Sequence, residues 1–275
     1  MNPYKIEGPA LISFSGGRTS GYMLYQILKA HDFNLPDDIY VTFANTGKEA
    51  EQTLEFVRDC ANNWGVKVHW LEHYFGDERP IHRTKEVTFA TASRNGEPFE
   101  RLIDQRGILP NPVARYCSSE LKIKVMERFM RSQGYQEWSN VLGLRYDEPR
   151  RALNAKKADY QRWDNLVPLY DAQATITDVM AFWDNSSFDL KLRSFNGKTL
   201  AGNCDLCFLK SVNTQTKLIK EEPERAEWWL KQEAKFDNAG NKFRKDRDYI
   251  HLVELSKQGD LFGLDDSSQT CFCHD

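Results

Sequence analysis

The segment Ser13–Ser20 (SFSGGRTS) constrains this chain more than any other stretch. Before it runs Pro9–Ser15 (PALISFS), a short apolar segment that reads as a strand. After it, Thr19–Ala30 places Met23, Ile27 and Leu28 on one helical face. A Gly-Gly pair between a strand and a helix is where an anion-binding loop sits. Gly16 and Gly17 accept positive φ and let the backbone approach a ligand closely. Arg18, Thr19 and Ser20 open a helix whose first N–H groups lack intrahelical acceptors and point at an anion. Arg18 adds a planar cation suited to phosphate or sulfate. The plain alternative is a tight βα turn without a ligand. The pattern is not G-x-x-x-x-G-K-[ST], so the Walker loop is excluded.

The alternation continues. Asp38–Ala44 reads as a second strand, Glu49–Trp64 as a helix through Leu54, Val57, Ala61 and Trp64, and Val66–Leu71 as a third strand. Ser119–Arg131 reads as a helix and Asn140–Leu144 as a strand. This order predicts an α/β fold, an open and mostly parallel sheet with helices on both faces. Texture changes near residue 150. Leu166–Tyr170 reads as short and extended, Thr175–Trp183 as a helix with Thr175 as N-cap and Asp178 three residues on. Glu222–Ala234 reads as a helix with Pro223 in its first turn, and Asp237–Asp248 as a solvated loop. The expected division is an α/β part that bears the anion loop over residues 1–165. A mainly helical, cysteine-bearing part over 166–275 packs on it.

Function classes narrow further with composition. No window approaches the ~18 apolar residues of a membrane helix. No basic–apolar–small signal opens the chain, so a cytoplasmic location is expected and a secreted disulfide framework is not. Lys and Arg number 37 against 40 Asp and Glu, a net charge of −3. That balance disfavours a broad nonspecific grip on nucleic acid and leaves room for a local basic patch.

The six cysteines are Cys60, Cys117, Cys204, Cys207, Cys271 and Cys273. Cys60 lies beside the apolar face of its helix and reads as core. Cys204-Asp-Leu-Cys207 is a C-x-x-C whose sulfurs can face one metal from a single turn; a redox pair or chance are the alternatives. Cys117 and one C-terminal cysteine, Cys273 or Cys271, complete a possible four-thiolate set. Thiolates suit zinc or an iron–sulfur cluster, and ligand type does not separate them. His274 beside Cys273 could act as a base that lowers a thiol pKa. His31, His69, His73, His82 and His251 show no ligand spacing, and His82 with Arg83 reads as a loop within reach of a nucleotide.

Several segments together resemble the phosphoadenylyl-sulfate (PAPS) reductase family of the PP-loop, adenine-nucleotide α-hydrolase-like superfamily. Ser15-Gly-Gly-Arg-Thr-Ser20 is similar to its SGGxDS loop, with Thr19 where many members carry Asp. Asn45-Thr46-Gly47 resembles its (D/N)TG element after the second strand. Arg115–Lys122 resembles its C-x-x-x-L/R-K segment, and Gly143–Arg151 its G-x-R-x-x-E-S-x-x-R segment. Val167–Tyr170, leading to Thr175–Trp183, resembles its P-L-x-x-W helix.

The resemblance implies an adenine nucleotide (adenylyl sulfate, PAPS or ATP) held by Ser15, Gly16, Gly17, Arg18, Thr19, Ser20, Asn45, Thr46 and Gly47. Lys122, Gly143, Arg145 and Arg150 join this set, and Arg151 reads as a solvated charge. It also implies a 4Fe-4S cluster on Cys117, Cys204, Cys207 and Cys273, with zinc as the alternative. Tyr116 stands where the family has a second cysteine. Cys271, Cys273 and His274 are the expected catalytic residues, in a Thr-Cys-Phe-Cys-His-Asp tail that departs from the family's E-C-G-L-H. A reductase would draw on an external thiol such as thioredoxin. A sulfurtransferase would use ATP with Mg²⁺ and act on tRNA or DNA. A nucleotide-binding protein with structural zinc is the non-enzymatic rival.

Overall fold

The computed structural model describes residues 2–158, 162–195, 198–236 and 241–258. Strands β1 (Ala10–Ser13), β2 (Ile39–Ala44), β3 (Val68–Phe75), β5 (Trp138–Val141) and β6 (Trp163–Leu166) are mutually parallel. β4 (His82–Val87) runs antiparallel to β3, in register Glu72 with Lys85 and Phe75 with His82. The sheet order is β4-β3-β2-β1-β5-β6. The chain moves outward from β1 through β2 and β3, then returns to place β5 on the other side of β1. The carboxyl ends of β1 and β5 therefore flank a topological switch point, where open α/β sheets bind ligands.

Both faces of the sheet are covered, as the apolar alternation of β1 records. Ala10 and Ile12 face a core shared with α1 (Arg18–Ala30), α2 (Glu51–Trp64) and α8 (Ile176–Asp184). Leu11 faces the opposite core, built from Leu71, Trp138 and Val125, Phe129 and Met130 of α5 (Lys124–Ser132). The α8 helix opens with a reciprocal capping box between Thr175 and Asp178. The first core also contains Leu218, Trp229 and Tyr249 from the last third of the chain, so residues on both sides of the expected boundary share it.

Several elements depart from the sequence reading. The helix expected over Ser119–Arg131 is two pieces, a π-turn (Ser119–Ile123) and α5, preceded by the one-turn α4 (Tyr116–Ser118). Leu166–Tyr170 is not extended throughout, because Pro168 fits the first turn of α7 (Pro168–Asp171). His82 and Arg83 lie in β4, not in a loop. Helices α3 (Glu97–Arg106), α6 (Pro149–Lys157), α9 (Val212–Glu221) and α11 (Tyr249–Lys257) were not anticipated, nor was the short β7–β8 ribbon (Ser194–Phe195, Lys198–Thr199). The stretch read as a solvated loop holds Phe243, fully buried between Phe208 and Trp229 of α10 (Arg225–Ala234).

Candidate functional site

The glycine loop leaves β1 at its carboxyl end. Gly16 adopts φ +78°, and a Cβ there would stand 2.7 Å from Thr53 Cγ2, so both backbone and space require glycine. Gly17 is the N-cap of α1, and Gly21 N–H makes the first helical bond to the Gly17 carbonyl. Ser15 Oγ lies 2.9 Å from Ser20 Oγ, which donates to the Gly17 carbonyl. Among the described residues, the N–H groups of Gly16 through Ser20 meet no acceptor. Five successive free amides at a helix start form an anion cradle. Gly143, just past β5, lies against this loop; a Cβ there would be 3.3 Å from Ser20 Cα.

The cations around the loop have divided roles. Arg18 turns away from it. Its Nε and Nη2 donate to both Asp189 carboxylate oxygens at 2.7 and 2.6 Å, and Nη2 also meets the Leu190 and Leu192 carbonyls. The expected Arg18–phosphate contact is thus replaced by a bidentate pair that anchors the start of α1. Arg145 reaches the loop: its Nη1 donates to Thr19 Oγ1 at 3.0 Å and pairs with Glu148 at 3.3 Å, while Asp147 takes Nε and Nη2. Arg151 pairs with Glu148. Arg150 is exposed on α6.

A pocket opens beside the loop, between β1, β5, β6 and the start of α5. Its walls include Ser15, Lys122, Met126, Trp138, Asn140 and Trp163. Trp138 and Trp163 stack on each other at 5.4 Å, so the floor is aromatic. Asn140 Nδ2 is held by Asn165.

Asn45 and Thr46 face inward. Asn45 is fully buried; its Nδ2 donates to Glu72 and to the Ser93 carbonyl, and its Oδ1 accepts from Gly47 N–H. Thr46 N–H and Oγ1 both donate to the buried Glu49 carboxylate. These residues were expected on a ribose or base; their polar atoms are instead committed to holding the strand end. They do meet the cysteine turn. Thr46 Oγ1 lies 3.4 Å from Cys204 Sγ, Glu49 bridges Cys204 through the backbone, and Asp205 N–H donates to the Lys48 carbonyl. Lys48 forms a buried ion pair with Asp205 at 3.2 Å, and Trp229 Nε1 donates to the same carboxylate.

Cys117, Cys204 and Cys207 line one pocket, with Thr46, Lys122 and Asn203 at its polar side and Leu121, Phe208 and Trp229 at its apolar side. The turn is held from behind. Tyr249 Oη donates to the Leu206 carbonyl, and Gln215 Nε2 to the Leu206 and Cys207 carbonyls. Burial, with the Glu49 carboxylate beside it, pushes the Cys204 thiol well above its ordinary value, against the pull of Lys122. All four described cysteines are free thiols. Cys60 is fully buried in the main core, and burial raises its thiol too.

The sulfurs have the chemistry a soft metal or an iron–sulfur cluster takes. Among the described residues, no three His, Cys, Asp or Glu side chains are gathered to hold one ion. Cys271, Cys273 and His274, the expected fourth ligand and catalytic groups, lie outside the described residues.

Lys122 connects the two pockets, lining both. Its Nζ donates to Asn203 Oδ1 at 3.3 Å and lies 3.7 Å from Glu49. It projects from the π-turn, a geometry that recurs at functional sites. Sequence reasoning missed Lys48, Glu49 and Asp205. Their signal was position: two charges directly after a strand's carboxyl end, and one inside the C-x-x-C.

No protein-family model matches this chain. It is 26% identical over 219 residues to an uncharacterized nin region protein of Escherichia phage lambda, covering 77% of this chain and 70% of that one. It is 25% identical over 243 residues to an uncharacterized protein of Methanocaldococcus jannaschii, covering 86% of this chain and 44% of the relative's length. Among solved structures it is similar to phosphoadenylyl-sulfate reductase from Candida auris in its phosphate complex. That match has 14% identity and a TM-score of 0.45, over 72% of this chain and 90% of the other. It is also similar to the U34-tRNA thiolase NcsA from Methanococcus maripaludis with its 4Fe-4S cluster. There the identity is 12% and the TM-score 0.41, over 95% and 78%.

Proposed function

We propose that this chain is an adenine-nucleotide-binding enzyme of sulfur chemistry, of the PAPS reductase group of the PP-loop superfamily. The observation that carries this reading is Lys122, a residue that lines both the pocket at the glycine loop and the pocket of the three cysteines. Phosphate or sulfate oxygens lie on the free amides of Gly16–Ser20, with Arg145 at the edge through Thr19. The heterocycle lies over the Trp138–Trp163 floor. A sulfur centre carried by the nucleotide, or destined for it, then faces Lys122 and the Cys204 turn.

In the reductive form, a thiolate attacks the sulfate sulfur and the nucleotide monophosphate leaves with the bridging oxygen. The resulting thiosulfonate is resolved by an external dithiol such as thioredoxin, releasing sulfite as the dithiol becomes a disulfide. Cys271 or Cys273, with His274 as base, is the proposed source of that thiolate. In the transfer form, ATP with Mg²⁺ would adenylate an acceptor oxygen with release of pyrophosphate, and an externally supplied sulfide-level sulfur would then displace AMP, which leaves with that oxygen. Sulfite release from adenylyl sulfate or PAPS with thioredoxin supports the first; pyrophosphate release from ATP only with tRNA or DNA supports the second. Full turnover in both Cys271→Ser and Cys273→Ser removes the C-terminal nucleophile. Anaerobic purification tests the cluster assignment to Cys117, Cys204, Cys207 and Cys273: a brown protein with about four irons supports it, and one tight zinc without iron sinks it.

A further inference from the structure

We propose that helix α6 and the exposed Tyr146 form a docking surface for a single-stranded nucleic acid, beside the glycine loop. Over Pro149–Lys157 the chain carries Arg150, Arg151, Lys156 and Lys157 and no acidic residue. On one solvent face, at helical spacing, stand Arg150, Leu153, Asn154 and Lys157, all exposed. Among the described residues, neither Arg150 nor Lys157 has an ion-pair partner. Among the described residues the acids beside this helix are already engaged: Asp147 and Glu148 by Arg145 and Arg151, and Asp171 by Lys156. Among those residues nothing neutralises Arg150 and Lys157, in a chain whose net charge is −3.

The aromatic half of the surface is Tyr146, 45% exposed, with its ring 5.4 Å from that of Tyr170. Lys156 Nζ lies 5.7 Å from the Tyr170 ring centre. An exposed aromatic ring next to a helix face that carries cations is the kind of feature that holds single strands without reading sequence. Its location gives it a use. Tyr146 follows Arg145, which is bonded to Thr19 of the loop. A base stacked on Tyr146 would place the adjoining nucleotide at the loop's mouth, as an acceptor for the transfer form. That last step rests on the nucleotide-binding reading above; the docking surface does not.

The test is fluorescence anisotropy of a labelled mixed-sequence single strand, as RNA and as DNA, with the wild-type chain across a salt series. A duplex and phosphatidylserine vesicles serve as comparators. The expected result is single-strand binding that weakens about tenfold or more in Arg150→Glu/Lys157→Glu. The log–log salt slope should shrink by about two. Tyr146→Ala should weaken single strands about fivefold or more and the duplex little. No binding of either strand, binding unmoved by both variants, or capture of vesicles alone overturns the proposal. A wild-type chain that is stabilised by adenine nucleotide yet binds no single strand defeats this inference only. One that binds neither defeats both this inference and the nucleotide-binding reading.

Discussion

Gly16 and Lys122 carry the account at the scale of single residues. Gly16→Ala would combine a positive φ with a Cβ 2.7 Å from Thr53 Cγ2. It should cost about 1–3 kcal/mol of folding stability, read by urea unfolding; an unchanged midpoint contradicts the loop geometry. Lys122→Ala should lower kcat/KM about a hundredfold, because one donor serves both pockets; wild-type kinetics would remove it from the site. Asn45→Ala, by contrast, should cost about 1–3 kcal/mol by leaving Glu72 and the Ser93 carbonyl short of a donor, with nucleotide affinity unchanged. The sequence spelled the residue types of the loop but not their directions. Arg18 was legible as a cation at a helix start. Its real partner, Asp189, is far along the chain, and spacing carries no information on such a pairing.

The β3–β4 hairpin and the π-turn are coupled elements. His73 Nε2 and His82 Nδ1 are 3.0 Å apart, and Glu120 of the π-turn meets Arg106 and Arg128 at 3.1 Å. Glu120→Ala should cost about 1–3 kcal/mol, read by urea unfolding, because it strands the partly buried Arg128 guanidinium, removes the partner of the exposed Arg106 and frees the turn that presents Lys122. Burial, with Arg128 and His82 nearby, depresses His73 from 6.5 to about 4. Between those values the unfolded chain binds a proton that the folded chain does not, so stability present above pH ~6.5 falls as pH drops toward ~4. His73→Gln should flatten that part of the profile; an identical slope in both proteins contradicts the buried neutral imidazole. Neither element was readable beforehand. His82–Val87 (HRTKEV) is polar because it forms the sheet edge, and a π-turn has the same composition as a helix.

Across the whole molecule, strand–helix alternation announced the α/β fold because buried strands and amphipathic helices differ in period. It did not announce strand order, which depends on how the chain crosses the sheet between β4 and β5. The switch point, and with it the meeting of Ser15, Gly143 and Lys122, is a product of that crossing. Of the C-terminal helices, α8 and α10 were legible, whereas α9 and α11 escaped for a different reason: the core there, Trp229 on Tyr249 with Phe243 against both, is assembled from positions scattered over polar segments. This core fixes the Cys204 turn against the end of β2, so the two pockets belong to one framework. The most direct test is the melting temperature of the full chain, prepared anaerobically, with saturating ATP, adenylyl sulfate or PAPS. Ligand at about a hundredfold over Kd adds ~2.7 kcal/mol. At least one nucleotide should therefore raise the midpoint by several degrees, with the rise reduced or lost in Lys122→Ala. No shift with any of the three, from a folded wild-type protein, would contradict the central claim.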